Sequence, residues 1–313
     1  MAALAQLIIE GDLRAIARGI SLVENDPDAG PALVRDLFAR SGGAFLVGVT
    51  GAPGSGKSTL VDGLVGRWRA RDRTVGVIAV DPTSPFSGGA MLGDRVRMQA
   101  HAPDAGVFIR SMATRGHLGG LARATSDAAL ILDAGGKDFV VIETVGVGQD
   151  EVDIARTADV SVVVLVPGMG DDVQALKAGV MEIADIFVVN KADREGADRT
   201  VADVESLLGL HPYQEGEWRP PIVRTQATTG QGLDELVDAI ERFREQSSRL
   251  DRRRRDRAAA QLQAVVAAAL MRQVESRVPA AAMQAVIDRI AAREVDPYAG
   301  AEEILRGMQP RHV

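Results

Sequence analysis

The run Gly51-Ala52-Pro53-Gly54-Ser55-Gly56-Lys57-Ser58 follows directly on the apolar stretch FLVGVT at 45–50, and Thr59-Leu60-Val61 continues it in a helical pattern. This is G-x-x-x-x-G-K-S in a strand–loop–helix setting, which a flexible glycine turn alone would not require. Phosphate oxygens need several converging donors with no bulk between them. Glycines let consecutive backbone N–H groups turn inward beside the positive end of the helix that follows. Lys57 supplies a point charge for β- and γ-phosphates, and the hydroxyl of Ser58 is suited to a Mg²⁺ shell.

A second group sits about 130 residues further on, where the stretch IFVVN at 186–190 ends in Asn190-Lys191-Ala192-Asp193. A carboxylate at Asp193 accepts two hydrogen bonds from the N1–H and exocyclic amine of guanine, whereas adenine presents an acceptor at N1 and leaves it unpaired. The pattern N-K-x-D therefore selects GTP over ATP. Thr225-Gln226-Ala227, after another apolar stretch, stands where a backbone contact to the guanine oxygen is expected, although Gln226 replaces the commoner Ser.

Carboxylates at the ends of other apolar stretches extend this chemistry. Asp81 follows VGVIAV, Asp94 lies in GDRVRM, and Glu143 closes FVVI. Hard oxygen ligands of this kind suit Mg²⁺, held directly or through water, while turn or cap duty is the structural alternative for Asp81 and Asp94. Glu143 to Gly146 reads E-x-x-G, which keeps a carboxylate near the metal and leaves the Gly146 N–H to read the γ-phosphate. Gln149 is the candidate for orienting the attacking water, but it lies three positions past Gly146. The segment Pro85 to Gly93, rich in small residues, has the composition of a switch that orders around a γ-phosphate.

These residues need a scaffold, and the chain's periodicities supply one. Seven short runs rich in β-branched residues, at 45–50, 75–80, 107–110, 139–142, 160–166, 186–190 and 221–225, are continuously rather than alternately apolar over most of their length. Burial on both faces calls for an α/β fold with a mostly parallel, helix-covered sheet, and ligands bind at the carboxyl ends of its strands. Residues 1–40 read as helix, since Leu13, Ile16, Ala17, Ile20 and Val23 recur at spacings of three and four. After about residue 232 helix formers dominate again. The expected organisation is an N-terminal helical extension at 1–42, a P-loop domain at 43–245 and a C-terminal helical extension at 246–313. The RRRR at 252–255, bracketed by Asp251 and Asp256, reads as a solvated or partner-docking helix face in preference to a phosphate patch.

Composition narrows the alternatives. Among 313 residues, 43 acidic against 36 basic give a formal charge of −7, which argues against a chain-wide nucleic-acid footprint. Cysteine is absent, which removes disulfides, thiolate metal sites and cysteine nucleophiles; the four histidines are too few and too scattered for an imidazole cage. The N-terminus has no basic region before its apolar stretch, and no apolar run approaches the ~20 residues of a membrane span, so a cytoplasmic protein with no membrane partner is expected.

Read with the loops between them, these motifs resemble the MeaB/ArgK family of P-loop GTPases. The matching segments are VDPTSPFSGGAMLGDRVRM at 80–98, VIETVGVGQDEVDI at 141–154 and VPGMGDDVQALKAG at 166–179, and the likeness runs from GDLRAIARGISLVEN to VDPYAGAEEIL at 295–305. The resemblance implies a homodimeric GTPase of the SIMIBI class that chaperones an adenosylcobalamin-dependent acyl-CoA mutase, most often methylmalonyl-CoA mutase, and guards loading of its cofactor. It further implies that Gly168 to Lys177 is a switch relaying nucleotide state, with Gln174 and Lys177 carrying the signal. The C-terminal helices become the expected dimerisation arm. Two rivals share parts of the pattern: a kinase acting on an amino-acid-transport protein, and a metal-insertion GTPase for which His117 is the best available ligand.

Overall fold

A computed structural model of the chain describes residues 1–82, 101, 103–114, 120–144, 157–168 and 183–307. Met1–Arg257 forms one compact unit and Ala258–Val313 a second.

All seven expected strands are present, as β1 (Phe45–Gly51), β2 (Val75–Pro82), β3 (Val107–Thr114), β4 (Phe139–Thr144), β5 (Val160–Leu165), β6 (Ile186–Asn190) and β7 (Ile222–Thr225). They form one sheet in the order β3-β2-β4-β1-β5-β6-β7. Every pairing is parallel. The carboxyl ends of the strands therefore lie along one edge, with β1 in the middle. The uninterrupted apolar runs have the physical cause inferred from the sequence: β1, β4 and β6 are buried at every position.

Helices cover both faces. On one, α4 (Lys57–Ala70) and α7 (Leu233–Arg244) pack Leu60, Leu64, Trp68, Leu236, Ile240 and Phe243 onto the sheet. Trp68 stacks on Phe139 of β4 with ring centroids 4.4 Å apart. On the other face, the N-terminal stretch is three helices, α1 (Ala2–Ile9), α2 (Leu13–Asn25) and α3 (Ala29–Leu37), which pack with α5 (Gly120–Ala134) on β2 and β4. Asp12 caps α2 by accepting from the Ala15 N–H at 2.7 Å, so the polar break between α1 and α2 is a helix start. Near β6 and β7, α6 (Ala197–Leu208) buries Val204 and Leu208 against Phe187.

At the amino ends of the strands the orphan amides are met by aspartates that each precede a neighbouring strand. Asp138 before β4 accepts from the Thr74 N–H, Asp159 before β5 from the Leu46 N–H, and Asp185 before β6 from the Ser161 N–H, at 2.7, 3.0 and 2.8 Å. Asp159 and Asp185 are fully buried, so each needs a cationic partner. Helix α8 (Ser247–Arg277) provides them from its first turns. Arg253 reaches Asp185 at 2.7 Å, and Arg257 reaches Asp159 at 2.9 Å and the Thr157 carbonyl at 3.1 Å. The arginine run is thus divided. Arg252 and Arg255 are exposed, as a solvated face requires, while Arg253 and Arg257 clasp the base of the sheet.

The second unit is helical. Beyond α8 it contains α9 (Ala280–Ala291) and α10 (Pro297–Gly307). Asp296 accepts from the Tyr298 and Ala299 amides at 2.9 and 3.0 Å, and Arg289 of α9 pairs with Glu303 of α10 at 2.9 Å. Leu262, Val265, Val266, Leu270 and Met271 of α8 are exposed. No helix among the described residues is long and apolar enough to cross a membrane.

Candidate functional site

The glycine-rich loop leaves β1 at Gly51 and enters α4 at Lys57. Gly51, Gly54 and Gly56 have φ of +139°, +75° and +91°, a region closed to most side chains. Two of them also have no room for a Cβ: at Gly51 it would lie 2.2 Å from the Val164 carbonyl oxygen on β5, and at Gly56 it would lie 2.5 Å from Asn190 Nδ2. The loop is therefore a wrapped strand-to-helix turn. Lys57 is buried and its Nζ donates to the Gly51 and Ala52 carbonyls at 2.7 and 3.0 Å, so its charge lies inside the turn. The N-terminus of a fourteen-residue helix adds the positive end of its dipole at the same place.

One residue further along α4, Ser58 Oγ donates to Glu143 Oε1 of β4 at 2.7 Å, and both residues are buried. The strand order makes this possible, because β4 lies beside β1 and Glu143 pairs with Val49 in register. A hydroxyl and a carboxylate side by side at the start of the phosphate-loop helix are a hard-oxygen pair of the type Mg²⁺ accepts when phosphate oxygens and water complete its shell. Among the described residues, no group of three or more His, Asp or Glu stands ready to hold a metal by itself.

Asn190 and Lys191 close the site from the other side. Asn190 Nδ2 donates to the Ser55 carbonyl at 2.8 Å, while its Oδ1 accepts from Thr225 Oγ1 and from the Ala227 N–H, each at 3.1 Å. Lys191 adopts φ of +56° and its Nζ donates to the Gly54 carbonyl at 2.7 Å. The Ala192 N–H donates to the Thr225 carbonyl at 3.1 Å, and Asp193 is left exposed at the tip of the turn. After β7, the chain turns through Gln226 to Gly230, fastened by the Gln226 N–H to the Gln231 carbonyl and by Thr229 Oγ1 to Gln226 Oε1. Two segments 35 residues or more from one another in sequence are thereby pinned to the phosphate loop through one amide side chain.

The structure thus gathers Gly51 to Thr59, Glu143, Asn190, Lys191, Asp193, Gln226 and Ala227 along the carboxyl edge of β4, β1, β6 and β7. Asp94, Gly146, Gln149, Gln174, Lys177 and His117, with the whole of 85–93 and all of 168–177 but Gly168, lie outside the described residues, as does the side chain of Asp81. Sequence reasoning placed Thr225 at the base-contact segment but missed that its hydroxyl serves Asn190, and it missed the basal quartet of Asp159, Asp185, Arg253 and Arg257. The two strand entries Ala158-Asp159-Val160 and Ala184-Asp185-Ile186 share one pattern, an acidic residue set against an apolar run, and that was the available signal.

Comparison with known proteins adds to this geometry. The family described as methylmalonyl Co-A mutase-associated GTPase MeaB matches residues 16–279. A GTPase of Pyrococcus abyssi is 52% identical over 302 residues, 95% of this chain and 93% of the relative. The mitochondrial methylmalonic aciduria type A homolog of Mus musculus is 36% identical over 256 residues, 76% of this chain and 62% of that protein. The crystal structure of a LAO/AO transport system kinase is similar with a TM-score of 0.73 at 25% identity, covering 99% of this chain and 97% of the other.

Proposed function

The chain belongs to the MeaB family of methylmalonyl-CoA mutase-associated GTPases, and from that premise we propose that it is a chaperone coupling GTP hydrolysis to the care of an adenosylcobalamin-dependent acyl-CoA mutase. Methylmalonyl-CoA mutase is the first candidate, with the GTPase gating cofactor loading and protecting or reactivating the enzyme. The observation that carries the nucleotide half of this reading is the single constellation in which Lys57, the Ser58–Glu143 pair and Asn190 meet at the phosphate loop.

The roles follow from chemistry. The amides from Gly51 to Thr59 cradle the phosphates, and Lys57 leaves the Gly51 and Ala52 carbonyls to face the β- and γ-oxygens as charge spreads over them in the in-line attack of water. Asp193 reads the guanine edge, with the Gln226-Ala227 turn against its oxygen. The donor set at Ser58 and Glu143 fits Mg²⁺, with Asp81 and Asp94 assigned to the same shell directly or through water. When bound, the ion supplies positive charge to the phosphate oxygens. Gly146 reads the γ-phosphate and Gln149 orients the water. Lys177 relays nucleotide state to the mutase, and the helical segment 246–313 is the arm of a cytoplasmic homodimer. An acidic balance of 43 to 36 supports a protein partner and no nucleic acid.

The test is GTP turnover by the purified chain with and without a purified mutase. The expected result is slow intrinsic hydrolysis that the mutase accelerates, with Lys177→Ala keeping the slow rate and losing the acceleration. If no acyl-CoA mutase changes the rate, the chaperone reading fails. Phosphoryl transfer to a transport protein, suggested by the name of the similar transport system kinase, then becomes the activity to assay.

A further inference from the structure

The two strands that carry the catalytic edge are joined once more beyond their backbone ladder. Pairing between β1 and β4 ends with Val49 opposite Glu143. At the next position the partners are Thr50 and Thr144, and here Thr144 Oγ1 donates to Thr50 Oγ1 at 3.2 Å between two buried side chains. A hydroxyl pair thus takes over where the amide ladder stops. Each threonine is adjacent to a working residue. Thr50 precedes Gly51, whose carbonyl receives Lys57 Nζ at 2.7 Å, and Thr144 follows Glu143, whose carboxylate receives Ser58 Oγ at 2.7 Å.

We infer that Thr144, through its hydroxyl bond to Thr50, is a positioning residue that fixes the Glu143 carboxylate against Ser58 and so sets how strongly Mg²⁺ is held with the nucleotide. On its other side β4 stays paired with β2 as far as Thr144, opposite Val80; toward β1 the ladder ends one residue back, and there the buried hydroxyl bond is what ties the end of β4 to β1 and sets the lateral position of Glu143 against the helix that carries Ser58. Carboxylate position matters more here than at a phosphate contact, because Mg²⁺ demands near-ideal octahedral geometry and tolerates little displacement of its ligands. The start of the phosphate loop has its own support, because Thr50 and Gly51 pair with Val163 and Val164 of β5. Loss of the hydroxyl bond should therefore weaken the metal-dependent part of nucleotide affinity and leave the metal-independent part alone. The inference rests on the proposed Mg²⁺ role of Ser58 and Glu143.

The experiment is titration calorimetry of GDP and of a non-hydrolysable GTP analogue, with Mg²⁺ and with EDTA, on the full chain and on Thr144→Val and Thr144→Ser. The wild type is expected to bind more tightly with Mg²⁺. Thr144→Val should lose roughly 3- to 10-fold of that Mg²⁺ enhancement, the equivalent of one neutral hydrogen bond, with its EDTA affinity unchanged; Thr144→Ser should restore it. Equal Mg²⁺ enhancement in wild type and Thr144→Val overturns the inference. So does an equal loss of affinity in EDTA, which marks general damage to the site. Absence of any Mg²⁺ enhancement in the wild type instead removes the metal assignment on which the inference stands.

Discussion

Replacing Asn190 by Ala should cost far more than the loss of one exposed amide. The side chain is buried and makes three hydrogen bonds, to the Ser55 carbonyl at 2.8 Å and from Thr225 Oγ1 and the Ala227 N–H at 3.1 Å each. The Thr225 hydroxyl can rotate toward another acceptor, but the Ser55 carbonyl and the Ala227 amide are backbone groups held by their turns. A buried polar group left without its partner costs about 1–3 kcal/mol, so two of them give about 2–4 kcal/mol once water entering at the rim is allowed for. In an α/β unit of this size each kcal/mol lowers Tm by roughly 2–4 °C. Chemical denaturation followed by tryptophan fluorescence reports on it directly, since Trp68, on the phosphate-loop helix itself, lies in the core. GDP affinity should fall at least about tenfold, because the base turn and the phosphate loop are no longer tied together. Asn190→Asp should not rescue, since a carboxylate oxygen would then face the Ser55 carbonyl. A loss below about 0.5 kcal/mol with GDP binding intact would refute the claim that this amide joins the two loops.

Gly56→Ala tests the same junction from the loop side: with φ of +91° and a Cβ 2.5 Å from Asn190 Nδ2, the variant should bind GDP at least about tenfold more weakly, and unchanged binding would mean that the loop adopts another path. Asp127, buried in α5, has its carboxyl pushed up to about 6 by burial, with Arg123 only partly opposing it. Because the folded chain then holds this proton more tightly than the unfolded one, stability should decline as pH rises from about 4 to about 6 and level off above. Asp127→Asn should be about 1–3 kcal/mol more stable than wild type at pH 7 and lack this decline. Denaturation midpoints between about pH 4 and about pH 7.5 check it, and parallel curves for the two proteins would contradict it.

Much of this architecture can be read from the chain because it is local. The seven runs became seven parallel strands, and in the central ones burial on both faces leaves its trace at each residue in turn, while Gly51 to Ser58 carries its own turn geometry in its glycines. What could not be read is what depends on partners distant in sequence. Asn190 and Lys191 read in the sequence as parts of a nucleotide-binding motif, but nothing in the chain announces that their polar groups also bond to the Ser55 and Gly54 carbonyls and to the turn after β7. Arg253 and Arg257 look like two more members of a charged run. Their burial follows only from Asp185 and Asp159, which lie 68 and 98 residues away. Helical periodicity could not separate these two arginines from their exposed neighbours, because the pattern marks apolar faces and not which cations meet buried carboxylates.

The central claim is that a guanine nucleotide is held by the phosphate loop and selected by Asp193. Calorimetric titration of the wild-type chain with GDP, ADP and XDP, repeated on Asp193→Asn, tests it most directly. The account predicts that wild type binds GDP and not ADP, and that Asp193→Asn shifts its preference to XDP, whose oxygen replaces the guanine amine. ADP bound as well as GDP, or a base preference untouched by Asp193→Asn, would contradict it.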